Sequence, residues 1–322
     1  MTTGLVAEKS LRTLPAIVMI VGMSGGPSDL ILTDDGLPSM FRSADAASLA
    51  GQSDTVRWSA LQLSMLVAGA VLGGVDIQLG NGLDLGALIA SIALLSSLAP
   101  ALWLTAKNPQ RAWYRGRAAA ESLRTLSWKY AVRAEPFTGS EEAASERLLQ
   151  DMSSILRDLR DVGWLIDAGG QAEITDQMRH LRSQPLRLRQ QAYIQGRLDA
   201  EYTWYTSKAA TFTRMARRWA AAAFIATSLG LAGGFLRAFG LLDYDGLGCA
   251  SAIAAAATAW TQLKQYRPLA AAYSLTAHEL LLVKAGLETL ADDEVQWSRR
   301  CSEAEEAISR EHTMWLARRE AA

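Results

Sequence analysis

Residues that build metal and disulfide sites are scarce in this chain. Among its 322 residues there are three histidines and two cysteines. His180, His278 and His312 have no carboxylate or cysteine at the spacing of a metal site, so we expect no bound metal. Cys249 falls in an apolar segment and Cys301 in a charged tail, so we expect no disulfide framework.

The sequence also lacks the motifs of an enzyme or of a nucleotide-binding protein. Ser24-Gly25-Gly26, behind the apolar run Leu14–Met23, resembles neither a dinucleotide-binding fingerprint nor a phosphate-binding loop. The serines and threonines of the apolar segments do not form a nucleophile elbow. We therefore expect no enzymatic activity, no cofactor and no nucleic-acid partner.

What the sequence does contain is four apolar segments without Asp, Glu, Lys or Arg, arranged as two hairpins. They are Trp58–Val75, Leu85–Ala106, Trp219–Leu236 and Gly246–Leu263. At a helical rise of about 1.5 Å per residue, a segment of 18 residues reaches roughly 27 Å, close to the hydrocarbon thickness of about 30 Å. The pattern predicts an all-α integral membrane protein with four transmembrane helices as two hairpins and with cytoplasmic helical extensions.

The alternative is a soluble protein in which these segments are buried core helices. Such helices usually keep a polar stripe, and none of the four has one over its full length. The fourth segment favours the membrane least, because it contains seven alanines, which are close to neutral for insertion.

The distribution of basic residues predicts the orientation. Only one basic residue, Arg237, lies in the two hairpin loops 76–84 and 237–245. Eleven lie close to the other ends of the segments: Arg57, Lys107, Arg111, Arg115, Arg117, Lys208, Arg214, Arg217, Arg218, Lys264 and Arg267. Because cytoplasmic flanks carry the excess of Lys and Arg, we expect a multi-pass inner (plasma) membrane protein with both termini in the cytoplasm.

The two halves of the chain share a layout that indicates a tandem repeat. Trp58 and Trp219 each open a hairpin, 161 residues apart, and Glu121 and Glu279 follow the two hairpins, 158 residues apart. We divide the chain into an N-terminal segment of unknown role (1–36), a two-span module (37–140), a cytoplasmic helical linker region (141–184), and a second two-span module with a C-terminal cytoplasmic helix (185–322).

The polar stretches also predict helices. A helix should continue out of the membrane over Pro109–Trp128, and another should occupy the tail Glu279–Arg319. Between them, Ser140 is predicted to cap a helix with an amphipathic stripe. That stripe consists of Leu148, Met152, Ile155, Leu159, Leu165 and Ile166.

Short aromatic motifs beside the hairpins resemble those of a known family. In the first half, Trp113-x-x-x-Arg117-Ala-Ala-Ala-Glu121 is followed by Trp128-x-Tyr130. In the second half, Tyr193-x-x-x-Arg197 is followed by Tyr202-x-Trp204-Tyr205. These motifs resemble the SLATT family (SMODS and SLOG-associating two-transmembrane effector domain), in two tandem modules.

The resemblance implies a membrane effector of a prokaryotic conflict or anti-phage defence system, of the kind proposed to oligomerise into a pore that permeabilises or depolarises the membrane. Its implied partners are the lipid bilayer, further copies of the chain, and a separately encoded nucleotide-signalling or sensor protein. The alternative function is a non-conducting membrane scaffold or sensor whose cytoplasmic helices bind a partner protein.

Two sets of residues are candidates for that function. The mildly polar or small residues of the spans are candidates to line a pore: Ser91, Ser96, Ser97, Thr227, Ser228, Ala254, Ala257 and Thr258. The juxtamembrane motif comprises Trp113, Arg117, Glu121, Trp128, Tyr130, Tyr202, Trp204, Tyr205 and Glu279. Its glutamates form either a charge ring at a pore mouth or ordinary salt bridges to nearby arginines such as Arg117, and its aromatics are expected to be interfacial anchors or packing residues.

Overall fold

The computed structural model describes residues 30–75, 78–79, 82–158, 172–242, 244–290 and 292–320. The predictions for Leu14–Met23, Leu159, Leu165 and Ile166 lie outside these ranges. The described chain is almost entirely α-helical. A two-residue antiparallel pair, β1 (Gln78–Leu79) with β2 (Leu83–Asp84), lies in the first hairpin loop.

The first half of the chain is built from three helices: α1 (Ser39–Gly73), α2 (Leu85–Lys107) and α3 (Pro109–Ala131). Glycines allow close packing along the whole of α1. A Cβ atom at Gly69 would lie 3.2 Å from Leu94 of α2. One at Gly51 would lie 2.6 Å from the backbone nitrogen of Trp113 in α3. The C-terminal part of α1 therefore packs on α2 and the N-terminal part on α3.

The second half repeats this arrangement. Its long helix runs through α6 (Leu186–Tyr193), a π-helical segment (Ile194–Asp199) and α7 (Ala200–Ala238). It packs against α8 (Gly246–Lys264) and then α9 (Tyr266–Glu288). The two halves meet where α8 packs on α1, and Cys249 Sγ lies 3.4 Å from the Ala70 carbonyl oxygen.

The helices that leave the apolar hairpins are separate elements. Asn108 and Gln265 adopt left-handed conformations, with φ of 41° and 49°, and each ends one helix and begins the next. The predicted single helix over Glu279–Arg319 was wrong, since α9 ends at Glu288 and α10 (Glu294–Glu320) follows. Asp293 explains the new start, because its carboxylate accepts a hydrogen bond of 2.9 Å from the Val295 N–H.

Three stretches of helix among the described residues are long and apolar enough to cross a membrane: Ser39–Gly73, Leu85–Lys107 and the continuous helix Leu186–Ala238. They contain the second and third predicted spans and all but the last two residues of the first. α8 contains the fourth but is not among them. Large apolar side chains of the spans point outward, with Leu95 and Leu102 each 69% exposed and Phe224 73% exposed, as is expected of a surface that faces lipid.

The remaining helices form a core beside the spans. α4 (Glu141–Asp158) buries Leu148 and Met152 of the predicted stripe, and the Ser140 hydroxyl accepts a hydrogen bond of 3.3 Å from the Ala143 N–H, as predicted for a cap. α5 (Asp176–Ser183) and α10 complete this core. The indole of Trp297 is fully buried within it, and its N–H donates to the Val132 carbonyl oxygen at 3.0 Å.

Candidate functional site

Four of the six hydroxyl groups predicted to line a pore, those of Ser91, Ser97, Thr227 and Thr258, donate hydrogen bonds to their own helices. Ser91 donates to the Ala87 carbonyl oxygen at 2.8 Å. Thr227 donates to the Ala223 carbonyl oxygen at 2.9 Å, and Thr258 to that of Ala254 at 2.9 Å. Hydrogen bonding of this type satisfies a hydroxyl within an apolar segment and leaves only a mildly polar surface.

These candidates do not converge within one chain. Ser97 and Ala257 are buried between helices, Ser96 and Ala254 are half-buried, and four others are exposed: Ser91, Thr227, Ser228 and Thr258. Exposed side chains face away from the neighbouring helices of the same molecule. A passage lined by the exposed hydroxyls would therefore require several copies of the chain.

Each hairpin has a tryptophan pair at the end that carries the basic residues. Trp58 packs on Trp103 with ring centroids 4.9 Å apart, and Trp219 packs on Trp260 at 6.1 Å. The ammonium group of Lys264 lies 5.5 Å from the Trp260 ring. Tryptophan is enriched where a membrane meets water, so the two pairs mark equivalent levels of the two hairpins.

The juxtamembrane motif joins the two halves of the chain. Arg117 of α3 forms an ion pair of 3.4 Å with Glu121, one helical turn away. The same guanidinium lies 5.5 Å from the ring of Trp204 in α7. Glu121 is buried whereas Glu279 is exposed, so the two glutamates occupy different environments. Glu121 forms the salt bridge to Arg117 that we considered.

The aromatic residues of the motif act as packing residues. Trp204 contacts Tyr205 and Tyr273 with centroid distances of 5.0 and 5.4 Å, and Tyr202 packs beside the same core. Trp128 meets Tyr193 edge-to-face at 5.8 Å, and Tyr130 packs on Phe137 at 6.1 Å. Trp113 contacts the neighbouring Tyr114 at 5.0 Å.

A buried carboxylate that the sequence analysis missed organises this region. Glu305 of α10 is fully buried and accepts two hydrogen bonds from Arg197, of 2.9 and 3.0 Å. The Tyr193 and Thr125 hydroxyls each donate to it at 2.9 Å. A buried charge is tolerated when it is paired and fully hydrogen-bonded, and here four donors supply those bonds.

The network extends from Glu305 to the surface. Arg197 also donates to Glu201 at 2.6 Å, and Glu201 is 3.4 Å from Arg124, which pairs with Asp34 at 2.7 Å. We refer to Asp34, Arg124, Arg197, Glu201 and Glu305 as the buried ion network. Burial lowers the pKa of Arg197, but the attraction of Glu305 and Glu201 outweighs it, so the pKa lies above its usual value. The guanidinium therefore stays charged.

The π-helical segment directs Arg197 into the network. Residues Ile194–Asp199 replace one α-helical turn in the long helix that continues into the third span. Gly196 permits close packing there, since a Cβ atom would lie 2.7 Å from Ile31 and 3.1 Å from Trp128. π-helical turns inside α-helices occur frequently at functional sites.

The sequence carries a signal for Glu305 that the motif analysis did not use. Trp297, Cys301, Ala304 and Ile308 recur at helical spacing, and Glu305 lies on the same face of α10. A carboxylate within a buried apolar stripe requires a partner, and Arg197 of the quoted motif is that partner. Among the residues that the structure describes, no group of three or more His, Cys, Asp or Glu is placed to hold a metal ion.

Comparison with family models places two related domains on the chain. Residues 38–190 match the model described as SMODS and SLOG-associating 2TM effector domain 3. Residues 193–315 match the model described as SMODS and SLOG-associating 2TM effector domain 1. The first match includes the region 141–184 that we treated as a linker. No curated protein and no solved structure matches the chain.

Proposed function

Because the chain belongs to the SLATT family through two tandem domains, we propose that it is a membrane effector of a prokaryotic conflict or defence system that oligomerises into a pore. The single observation that supports this most is that two matched 2TM domains coincide with two apolar helical hairpins, whose large apolar side chains are exposed on the surface of the molecule. The effect of the open pore is loss of the membrane potential.

In this proposal the chain crosses the inner membrane four times, with both termini in the cytoplasm. Two domains with two spans each require α8 to be the fourth span, and its packing against α7 supports this. A Cβ atom at Gly230 would lie 2.3 Å from that of Ala250, so the two helices are in close contact. Small residues at helix contacts are typical of membrane helices.

An oligomer is proposed because one chain does not enclose its mildly polar side chains. The exposed hydroxyls on α7 and α8, including Thr227 and Thr258, would line a passage only when copies assemble around it. The activating signal is proposed to come from a separately encoded nucleotide-signalling or sensor protein. The continuous helix Leu186–Ala238 connects the buried ion network to the membrane and would transmit that signal.

The experiment is tightly induced expression in bacteria while the membrane potential is followed with a voltage-sensitive dye. Depolarisation should precede growth arrest. Ala254→Leu should abolish it, because a bulky side chain would narrow the passage. Ala252→Leu is the matched control, since it lies about 160° around α8 from Ala254. Equal membrane levels of the two variants must be shown by immunoblotting. Depolarisation that survives Ala254→Leu would contradict a passage lined by this face of α8.

The second candidate is a non-conducting scaffold or sensor, and one observation favours it. Leu275 and Leu282 on α9, outside the predicted spans, are 62% and 75% exposed and lie seven residues apart on one face. Such a face suits a helical partner protein. Two results together would replace the pore by the scaffold. The membrane potential would stay unchanged even when the protein is co-expressed with the neighbouring genes, and Leu282→Glu would abolish binding to a partner protein.

A further inference from the structure

An open pocket lies between α7 and α9 in the second half of the chain. Its volume is about 460 Å³. Its lining combines two arginines, two hydroxyl-bearing residues and alanines: Arg217, Arg267, Thr213, Ser274, Ala216 and Ala270. We call it the α7–α9 pocket. The alanines leave the space between the helices empty and the arginines provide its charge.

The equivalent position in the first half of the chain is closed. There, Gly116 brings α3 onto α1, and a Cβ atom would lie 2.9 Å from the Ser48 backbone nitrogen. Trp58 and Trp219 are 161 residues apart, and Trp103 and Trp260 are 157 apart. These offsets align the first half of the chain with the second.

The same offsets show which residues of the second half align with the glycines of the first half. Phe212 follows Gly51 by 161 residues, and Tyr273 follows Gly116 by 157. The two rings pack on each other with centroids 5.7 Å apart. Two aromatic rings therefore stand where glycines give backbone contact in the first half, so α7 and α9 meet through side chains at this level.

The charge of the pocket is available to a ligand. Arg217 and Arg267 are both exposed, and neither forms an ion pair with a carboxylate of the described residues. They approach the pocket from different helices. Two guanidinium groups at one pocket, neither of them paired with a carboxylate in the described part of the chain, favour an anion. Guanidinium binds phosphate in a bidentate way.

The pocket lies at the level along the membrane normal where lipid headgroups are expected. Arg217 precedes Trp219 by two residues, and Arg267 follows Trp260 by seven. The Trp219–Trp260 pair marks the membrane–water boundary of the second hairpin. The pocket therefore lies just beyond that boundary, on the side with the basic residues.

We propose that the α7–α9 pocket binds the phosphate of an anionic phospholipid headgroup, paired with Arg217 and Arg267 and with the glycerol against the alanines. Basic pockets between helices at the cytoplasmic side of a membrane suit such headgroups. The proposal rests on the membrane placement of α7 and not on pore formation. It assigns different roles to the two domains, because in the first domain glycines bring α1 and α3 into backbone contact at the corresponding level.

The test is retention of lipid by the purified full-length protein, measured by native mass spectrometry in detergent with phosphatidylglycerol or phosphatidylcholine added. Phosphatidylglycerol should be retained preferentially, and the double variant Arg217→Gln/Arg267→Gln should weaken retention by roughly 30-fold, about fivefold per arginine. The control is Arg214→Gln/Arg218→Gln, which removes the same charge from α7 outside the pocket. Ala271 also lines the pocket, and Ala271→Trp should weaken retention too, because the new side chain fills the pocket and leaves its charge intact.

Three outcomes would overturn the proposal. The first is equal retention of the two lipids, and the second is an equal loss of lipid retention in the pocket variant and the control variant. The third is competition by soluble glycerol 3-phosphate at matched concentration, which would assign the pocket to a free anion. Lipid retention is measured on the purified protein and does not depend on whether the protein depolarises cells. Its failure would therefore leave the depolarisation result unchanged, and failure of depolarisation would leave the lipid result unchanged.

Discussion

At the scale of single residues, Glu305 joins parts of the chain that are distant in sequence. It receives hydrogen bonds from residues of α3, α6 and the π-helical segment while itself belonging to α10. A fully buried charge of this kind does not by itself indicate high stability, because desolvation offsets the attraction. Removing one partner is different, since it leaves the other charge buried and unpaired.

We therefore expect Glu305→Gln to lower the free energy of unfolding by about 3–5 kcal/mol. The control is Glu303→Gln, which removes exposed ion pairs with Arg299 and Arg300 and should cost less than about 1 kcal/mol. Thermal unfolding in detergent measures both. The double variant Arg197→Met/Glu305→Leu should recover part of the lost stability. If the effects of the two single substitutions simply added in the double variant, the energetic coupling of Arg197 and Glu305 would be contradicted.

Cys301 provides a second prediction at this scale. Its side chain is fully buried, and burial raises the pKa of its thiol well above the usual value. The thiol should therefore resist maleimide at pH 8 until the protein unfolds. Val295→Cys, at a position that is 74% exposed, should be labelled at once. Fast labelling of Cys301 in the folded protein would show that the core opens readily.

The same raised pKa predicts an alkaline limit to stability. Below the unfolded-state pKa of about 8.5, the thiol is protonated in both states and its contribution to stability is complete. Above that pH the unfolded state loses its proton first, so stability falls as the pH rises towards the folded pKa. Burial shifts the pKa of Tyr193 in the same direction and extends the effect above about pH 10. Unfolding temperatures should decline above pH 9, and less steeply in Cys301→Ala.

At the scale of elements, the periodic features were predictable from sequence, and the breaks between α2 and α3 and between α8 and α9 were not. Three of the four apolar segments lie entirely inside helices, and the first, Trp58–Val75, extends two residues beyond the end of α1. Ser140 caps α4 as expected. The breaks at Asn108 and Gln265 lack the glycine that usually marks a left-handed residue. The network around Glu305 depends on tertiary contacts across up to 180 residues, which spacing alone does not reveal.

Two glycines with opposite surroundings give a prediction about helix packing. Gly51→Ala should destabilise the protein by about 1–3 kcal/mol, because its Cβ atom would overlap the α3 backbone. Gly286→Ala, where nothing lies within 4 Å, should stabilise α9 by up to about 1 kcal/mol. Thermal unfolding compares them directly. Similar effects of the two substitutions would mean that α1 and α3 are not in close contact.

At the scale of the whole molecule, the proposed topology is tested by labelling intact cells with a membrane-impermeant maleimide. In a cysteine-free background, Leu83→Cys and Phe239→Cys in the hairpin loops should be labelled from outside. Val295→Cys should be labelled only after permeabilisation. If α8 did not cross the membrane, the chain beyond it would lie outside, and Val295→Cys would be labelled in intact cells.

The π-helical segment has a mechanical consequence for the long helix. A π-helical turn holds one residue more than an α-helical turn, so converting it to regular α-helix changes the register by one residue. That change would turn the helix beyond it by about 100° and displace it by about 1.5 Å along its axis. Thr227, 30 residues beyond Arg197, would then point to a different side of the membrane helix. A rearrangement at one buried arginine would thus be converted into rotation of an entire span.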